Sequence, residues 1–187
     1  MFRRSFTALA VPAVVLSIVA APDVAAQDAV ALAIAPIPTE SEQATAKVIQ
    51  KQGNEWVTLR EGAGPFICVA DDPAVDGFHS ACYHTSLEPY MARGRELTSQ
   101  GTTGRPNVEQ RMAEIEAGTL EMPSYAFLHA IYAAEGWSGD MEAVQRHQAV
   151  IYTPFATAED LGLPTRATRG AWLMAAGTAN AHVMITP

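Results

Sequence analysis

The chain reads Trp56-Val-Thr-Leu59, then Arg60-Glu-Gly-Ala-Gly-Pro65, then Phe66-Ile-Cys-Val69. The two outer runs are rich in β-branched and aromatic residues, which favour strands. The central run holds Gly and Pro, which favour turns. Together they predict a β-hairpin, followed by a loop over residues 71–78 that is rich in Asp, Pro and Gly.

Further strands are expected in the second half of the chain. Residues 125–133 and 148–152 are rich in aromatic and aliphatic side chains. The runs Trp172-Leu-Met174 and His182-Val-Met-Ile185 flank a segment that contains Gly177. This last pattern predicts a second hairpin.

Helices are predicted between these strands. Thr39 and Glu42 have the spacing of a capping box, which predicts a helix to about Gln50. Ser86 is expected to open a helix that ends near Ser99, and Asn107 to cap one over residues 108–117. A single helical turn is expected after Thr157, ended by Gly162. The sequence therefore predicts an α+β fold, with antiparallel hairpins or a sheet and two or three helices packed on one face.

The N-terminus has the order of a secretory signal. It combines the basic start Met1-Phe-Arg-Arg4, an uncharged apolar run from Phe6 to Ala21 and the small residues Val24-Ala-Ala26. We expect cleavage after Ala26 and no stable membrane insertion of the mature chain. This predicts a signal peptide (1–26), a loosely held Ala- and Pro-rich arm (27–38) and one globular domain (39–187). The protein is then exported, to the periplasm or outside the cell.

Composition narrows the classes of partner. The formal net charge is −8 over 187 residues, and 49% of the residues are apolar. An acidic protein repels nucleic acid and anionic lipid at long range, so neither is an expected partner. The apolar content is that of a folded domain.

Two cysteines dominate the candidate chemistry. In an oxidising compartment Cys68 and Cys82 are expected to form one disulfide, which closes a loop of about 15 residues and restricts the unfolded chain. The alternative is a zinc or copper site at His79-Ser-Ala-Cys82-Tyr-His84, which matches no established zinc spacing. His182 and Met184, two apart on a strand, are a second copper alternative with Met174. No metal is favoured over the disulfide, and no resident cofactor is predicted.

Other polar residues suggest chemistry without selecting a site. Arg93 and Arg95, with Arg105 and Arg111 beyond them, lie among carboxylates, so an ion-paired helix face is favoured over an anion clamp. His129 is favoured as a hydrogen-bonded, half-buried residue. An acid–base role for His129 or His84, with Asp71 or Asp72, requires a pocket that brings these groups together.

A longer resemblance rests on three stretches. These are Cys68-Val-Ala-Asp71-Asp-Pro73, the run from Ala81 through Leu87-Glu-Pro-Tyr-Met-Ala-Arg-Gly-Arg-Glu-Leu97, and the ending from Ala171-Trp-Leu-Met174 to His182-Val-Met184. Together they resemble a group of uncharacterised exported bacterial proteins. The resemblance implies export and a single domain, and it implies no activity.

Three functions are consistent with these patterns. The favoured one is a non-enzymatic exported domain that binds a small molecule or an envelope protein. The second is a periplasmic zinc- or copper-binding protein or a metal-assisted hydrolase. The third is an acid–base enzyme. The sequence leans away from an enzyme because no catalytic spacing is present.

Overall fold

The computed structural model describes residues 24–186. Most of the expected signal peptide, residues 1–23, lies outside the described residues. The division of the chain into leader, arm and domain stays a prediction. None of the helices within residues 24–186 has the length and apolar content of a membrane-spanning segment.

The described chain forms eight strands and five α-helices. The helices are α1 (Val24–Ile34), α2 (Glu40–Thr45), α3 (Glu88–Ser99), α4 (Gly104–Glu116) and α5 (Ala158–Leu161). The strands are β1 (Lys47–Gln52), β2 (Glu55–Arg60), β3 (Phe66–Ala70), β4 (Phe78–His84), β5 (Ala126–Ala133), β6 (Arg146–Tyr152), β7 (Gly170–Met174) and β8 (His182–Thr186).

All eight strands belong to one sheet, in the order β2-β1-β3-β4-β5-β6-β8-β7. The β1–β3 pair is parallel and the other neighbouring pairs are antiparallel. The α+β class is therefore confirmed, although the sheet is mixed and strands predominate.

The helices cover both faces of the sheet. On the first face, Ala33 and Ile37, from α1 and the turn after it, pack with Cys68 and Cys82. On the second face, Leu87 at the start of α3 packs with Ile67 and Tyr83. Because successive strand residues point to opposite sides, Cys82 and Tyr83 mark the two faces. The prediction of helices on one face is not confirmed.

The Ala- and Pro-rich segment is packed on the sheet, in contrast to the loose arm expected for it. Ala33 is fully buried and Ile37 is 1% exposed. The Ser80 hydroxyl donates a hydrogen bond to the Ala33 carbonyl over 2.6 Å. Small residues let a helix backbone approach a sheet closely, so an Ala-rich run suits this position.

The first hairpin is formed by different strands from those expected. β1 and β2 pair across Gly53-Asn54, with Gln52 opposite Glu55. Gly53 has φ of 63°, which suits such a two-residue turn. Residues 61–65 instead carry the chain across to the other side of β1, and a Cβ at Gly62 would lie 2.4 Å from the Thr45 carbonyl oxygen. Gly62 and Gly64 therefore allow this segment to pass close to Thr45, where a larger side chain would collide.

Two other helix predictions need correction. The helix from Thr39 stops at Thr45, because the β-branched pair Val48-Ile49 continues as β1. Asn107 lies inside α4, which begins at Gly104, and its side-chain amide donates to the Gly94 carbonyl of α3 over 2.9 Å. Its side chain thus joins two helices instead of capping one.

Several local predictions are confirmed. α3 ends at Ser99, and Ser86 lies in the 3₁₀ turn that leads directly into this helix. The turn after Thr157 is closed by a full capping box and by Gly162 at φ 64°. β7 and β8 form the expected C-terminal hairpin.

The disulfide between Cys68 and Cys82 is confirmed. The two residues are direct cross-strand partners, with Cα atoms 4.0 Å apart. Cys68 lies on β3 and Cys82 on β4. The bond therefore ties two strands in the middle of the sheet.

Replacing Ala33 tests the packed position of α1. We expect Ala33→Leu to lower the free energy of unfolding by about 1–3 kcal/mol, because the buried site has no space for a larger side chain. Urea unfolding followed by circular dichroism measures this change. Ala31→Leu, at an exposed position on the same helix, is the matched control. Equal stabilities of the two variants would contradict the packing.

Removing the disulfide tests its contribution to stability. We expect the double variant Cys68→Ala, Cys82→Ala to lose about 3 kcal/mol, because the unfolded chain regains the freedom of the closed loop. Urea unfolding with and without a reductant provides the measurement. The reductant should destabilise the native chain and leave the double variant unchanged. Destabilisation of both by the reductant would show that it acts elsewhere.

Candidate functional site

A cavity of about 740 Å³ lies on the second face of the sheet, over β5 to β8. Tyr132 is the cross-strand partner of Arg146, and Trp172 is the partner of Met184, so these side chains share one face. α3 packs elsewhere on this face, where Met91 joins the cluster of Ile67 and Tyr83, and no residue of α3 or α4 lines the cavity. The cavity is lined by Tyr132, Arg146, Gln148, Ala167, Thr168, Arg169, Trp172, Met174 and Met184.

The arginines of this region differ from the other cations of the described chain. Five cations are ion-paired with carboxylates: Lys47, Lys51, Arg93, Arg95 and Arg105. Arg60 and Arg111 donate to backbone carbonyls. Among residues 24–186, the side chains of Arg146, Arg166 and Arg169 have neither an ion pair nor a hydrogen bond. Arg146 and Arg169 line the same cavity.

Arg146 is held by aromatic stacking. Its guanidinium carbon lies 3.7 Å from the ring centroid of Tyr132. The ring of His79 also stacks on Tyr132, with centroids 4.4 Å apart. Partial burial is the main cause that lowers the pKa of His79, while Asp71 opposes this shift and the charge of Arg146 adds to it. The stack restricts Arg146 without neutralising its charge.

The histidines predicted around Cys82 do not come together. His79 and His84 lie on opposite faces of β4, and Cys82 is in the disulfide. The ring of His84 accepts a hydrogen bond from the Ser86 amide through Nδ1 over 3.2 Å. The Asp71 carboxylate accepts from the His79 backbone amide over 2.9 Å. These polar groups therefore have local structural partners.

His182 and Met184 share the second face with Met174, as expected for residues two apart on a strand. Met174 is the cross-strand partner of His182. However, His182 is only 8% exposed, and its Nδ1 lies 2.7 Å from the Asn180 carbonyl oxygen. Burial is the main cause that lowers its pKa, and the contact with Asn180 opposes it. Met174 and Met184, but not His182, line the cavity.

Of the four arginines predicted to form an ion-paired helix face, three are paired with carboxylates, whereas Arg111 donates to the Tyr90 carbonyl. Arg93 binds Glu96 and Glu114, at 2.7 and 2.6 Å. Arg95 binds Glu88 at 2.5 Å. This face is therefore neutralised within the protein. Within the described part of the chain, no three or more His, Cys, Asp and Glu side chains are grouped so as to hold a metal ion.

Comparisons with protein-family models, curated proteins and solved structures give no match.

Except for Met174 and Met184, the cavity residues are not predicted from the sequence, although one signal is present. After Asp160 the sequence holds Arg166 and Arg169 but no further Asp or Glu. An arginine-containing segment without carboxylates, in an acidic chain, indicates cations available to an external anion. Tyr132 and Arg146 lie far from this segment in the sequence. They come beside it only because β5, β6, β8 and β7 are neighbours in the sheet.

Lowering the pH is expected to destabilise the protein. The pKa values of His79, His129 and His182 are lowered in the folded state, so the unfolded chain binds protons first as the pH falls. The free energy of unfolding should therefore decrease as the pH falls from about 7 to about 5.5, a range that includes the ordinary histidine pKa of about 6.5.

Urea midpoints across this pH range test the expectation. His182→Gln should reduce the pH dependence, because this variant removes one of the buried neutral imidazoles. A midpoint that rises as the pH falls would contradict it.

Proposed function

We propose that this chain is an exported, non-enzymatic binding domain whose ligand joins an anionic group to an aromatic or apolar part. The observation that carries this proposal is the position of Arg146 and Arg169 beside Trp172 in one cavity, without carboxylate partners among the described residues. Export rests on the N-terminal pattern, and the Cys68–Cys82 disulfide is compatible with it.

The polar lining favours an anion. Arg presents several donors in a planar fork that matches a carboxylate, sulfonate or phosphate. Arg146 is already restrained by its stack on Tyr132, so little side-chain freedom is lost on binding. Gln148 supplies a further polar group beside it.

The remaining lining favours an apolar part on the same ligand. Trp172 offers a large flat surface, and Met174 and Met184 offer polarizable, adaptable contacts. A volume of about 740 Å³ is within the range of small-molecule sites. The lining includes no carboxylate, imidazole or thiol to act as a general base, which favours binding over catalysis.

An anionic aromatic probe tests the proposal. We expect 8-anilinonaphthalene-1-sulfonate to bind the folded protein and to quench tryptophan fluorescence. Arg146→Gln and Arg169→Gln should each weaken binding about tenfold, since each removes a charged hydrogen-bond donor. Fluorescence titration at fixed ionic strength gives the dissociation constants.

Two controls separate this site from general apolar binding. Arg105→Gln removes an arginine that is 88% exposed and paired with Glu109 on α4, and it should leave the affinity unchanged. The neutral analogue N-phenyl-1-naphthylamine should bind more weakly than the sulfonate and be insensitive to the arginine variants. Equal binding of the sulfonate by the native chain and both cavity variants would contradict the proposal.

A further inference from the structure

Two histidines lie side by side on the first face of the sheet, opposite the cavity. His129 is on β5 and His147 is on the adjacent β6. In the β5–β6 pair, His129 lies opposite Ala149 and His147 lies opposite Ile131. The two histidines are therefore diagonal neighbours across the strands. Their ring centroids are 6.4 Å apart.

Each of these rings has a buried nitrogen without a hydrogen-bond partner. The atoms are Nδ1 of His129 and Nε2 of His147. Buried polar atoms in proteins are normally satisfied, because an unpaired one loses its interaction with water without replacement. The two atoms belong to neighbouring side chains on the same face of the sheet.

The surroundings of this pair are largely aromatic. The ring centroid of His129 lies 4.5 Å from that of Phe127 and 6.1 Å from that of Phe66. Burial is the main cause that lowers the pKa of His129, with His147 adding to the shift and Glu42 opposing it. A neutral imidazole is the form that binds metals.

We propose that His129 and His147 together bind one Cu(I) ion through these two nitrogens. Imidazole is a suitable ligand for copper, and Cu(I) forms stable complexes with two ligands arranged in a line. Metal–nitrogen bonds of about 2 Å place the two nitrogens about 4 Å apart, and when these nitrogens face each other the ring centroids are about 6 Å apart. The observed separation of 6.4 Å fits this arrangement.

Zinc fits the same pair less well. Zn²⁺ in proteins is almost always bound by four ligands, or by three and a water. The described residues supply no third His, Cys, Asp or Glu at this position. Phe66 and Phe127 offer no further ligand atoms. The pair therefore favours an ion that needs only two nitrogens.

Anaerobic titration of the metal-free protein with Cu(I), in competition with bicinchoninate, tests the site. No thiol reductant is added, so that the Cys68–Cys82 bond stays intact. We expect one Cu(I) per chain, with at least tenfold weaker binding in His129→Gln and in His147→Gln. His79→Gln, on the opposite face, is the matched control and should bind Cu(I) like the native chain.

Further measurements make the result decisive. Met184→Leu should keep full affinity, because Met184 belongs to the other face. X-ray absorption of the native Cu(I) complex should show two nitrogen neighbours and no sulfur, which tests the site even if a histidine variant fails to fold. Sulfur ligation, loss of binding in Met184→Leu, tighter Zn²⁺ binding at this pair or no Cu(I) binding would overturn the proposal.

Discussion

The pairing of β3 with β4 is the constraint on which the rest of the structure depends. The Cys68–Cys82 bond joins these strands where both cysteines are fully buried. Directly above, the Ala33 carbonyl oxygen lies 3.2 Å from the Cys82 sulfur, which is a packing contact because a disulfide sulfur has no proton to donate. β1 and β2 extend the sheet beyond β3, and β5 to β8 extend it beyond β4.

The unequal covering of the second face explains where a ligand site can form. Tyr83 donates a hydrogen bond to Glu88, and Arg95 donates to Tyr83, so α3 is fixed over β4. The hydroxyl of Tyr90, on α3, donates a hydrogen bond to the side-chain oxygen of Asn180 over 2.8 Å, which fixes this helix further. Beyond it the sheet presents Trp172 and the unpaired arginines to solvent. The carboxylates of α3 and α4 thus pair with Arg93, Arg95 and Arg105, whereas Arg146 and Arg169 have no carboxylate partner among residues 24–186.

One strand carries residues of both proposed sites. Arg146 and His147 are consecutive on β6 and therefore point to opposite faces. The same alternation separates Ile131 from Tyr132 on β5. The proposed anion site and the proposed copper site therefore lie on opposite faces of the sheet. Each proposal rests on its own side chains and can fail without the other.

Local patterns were sufficient for elements that short-range chemistry fixes. The capping box at Thr157, the first turn of α3 and the β7–β8 hairpin follow from neighbouring residues, and the two-cysteine reasoning gave the disulfide. The parallel β1–β3 pair, the burial of Ala33 and the gathering of Tyr132, Arg146 and Trp172 follow from contacts between residues far apart in the chain. Which strands pair, and which face a helix covers, depends on the packing of the whole sheet, and no local pattern contains that information.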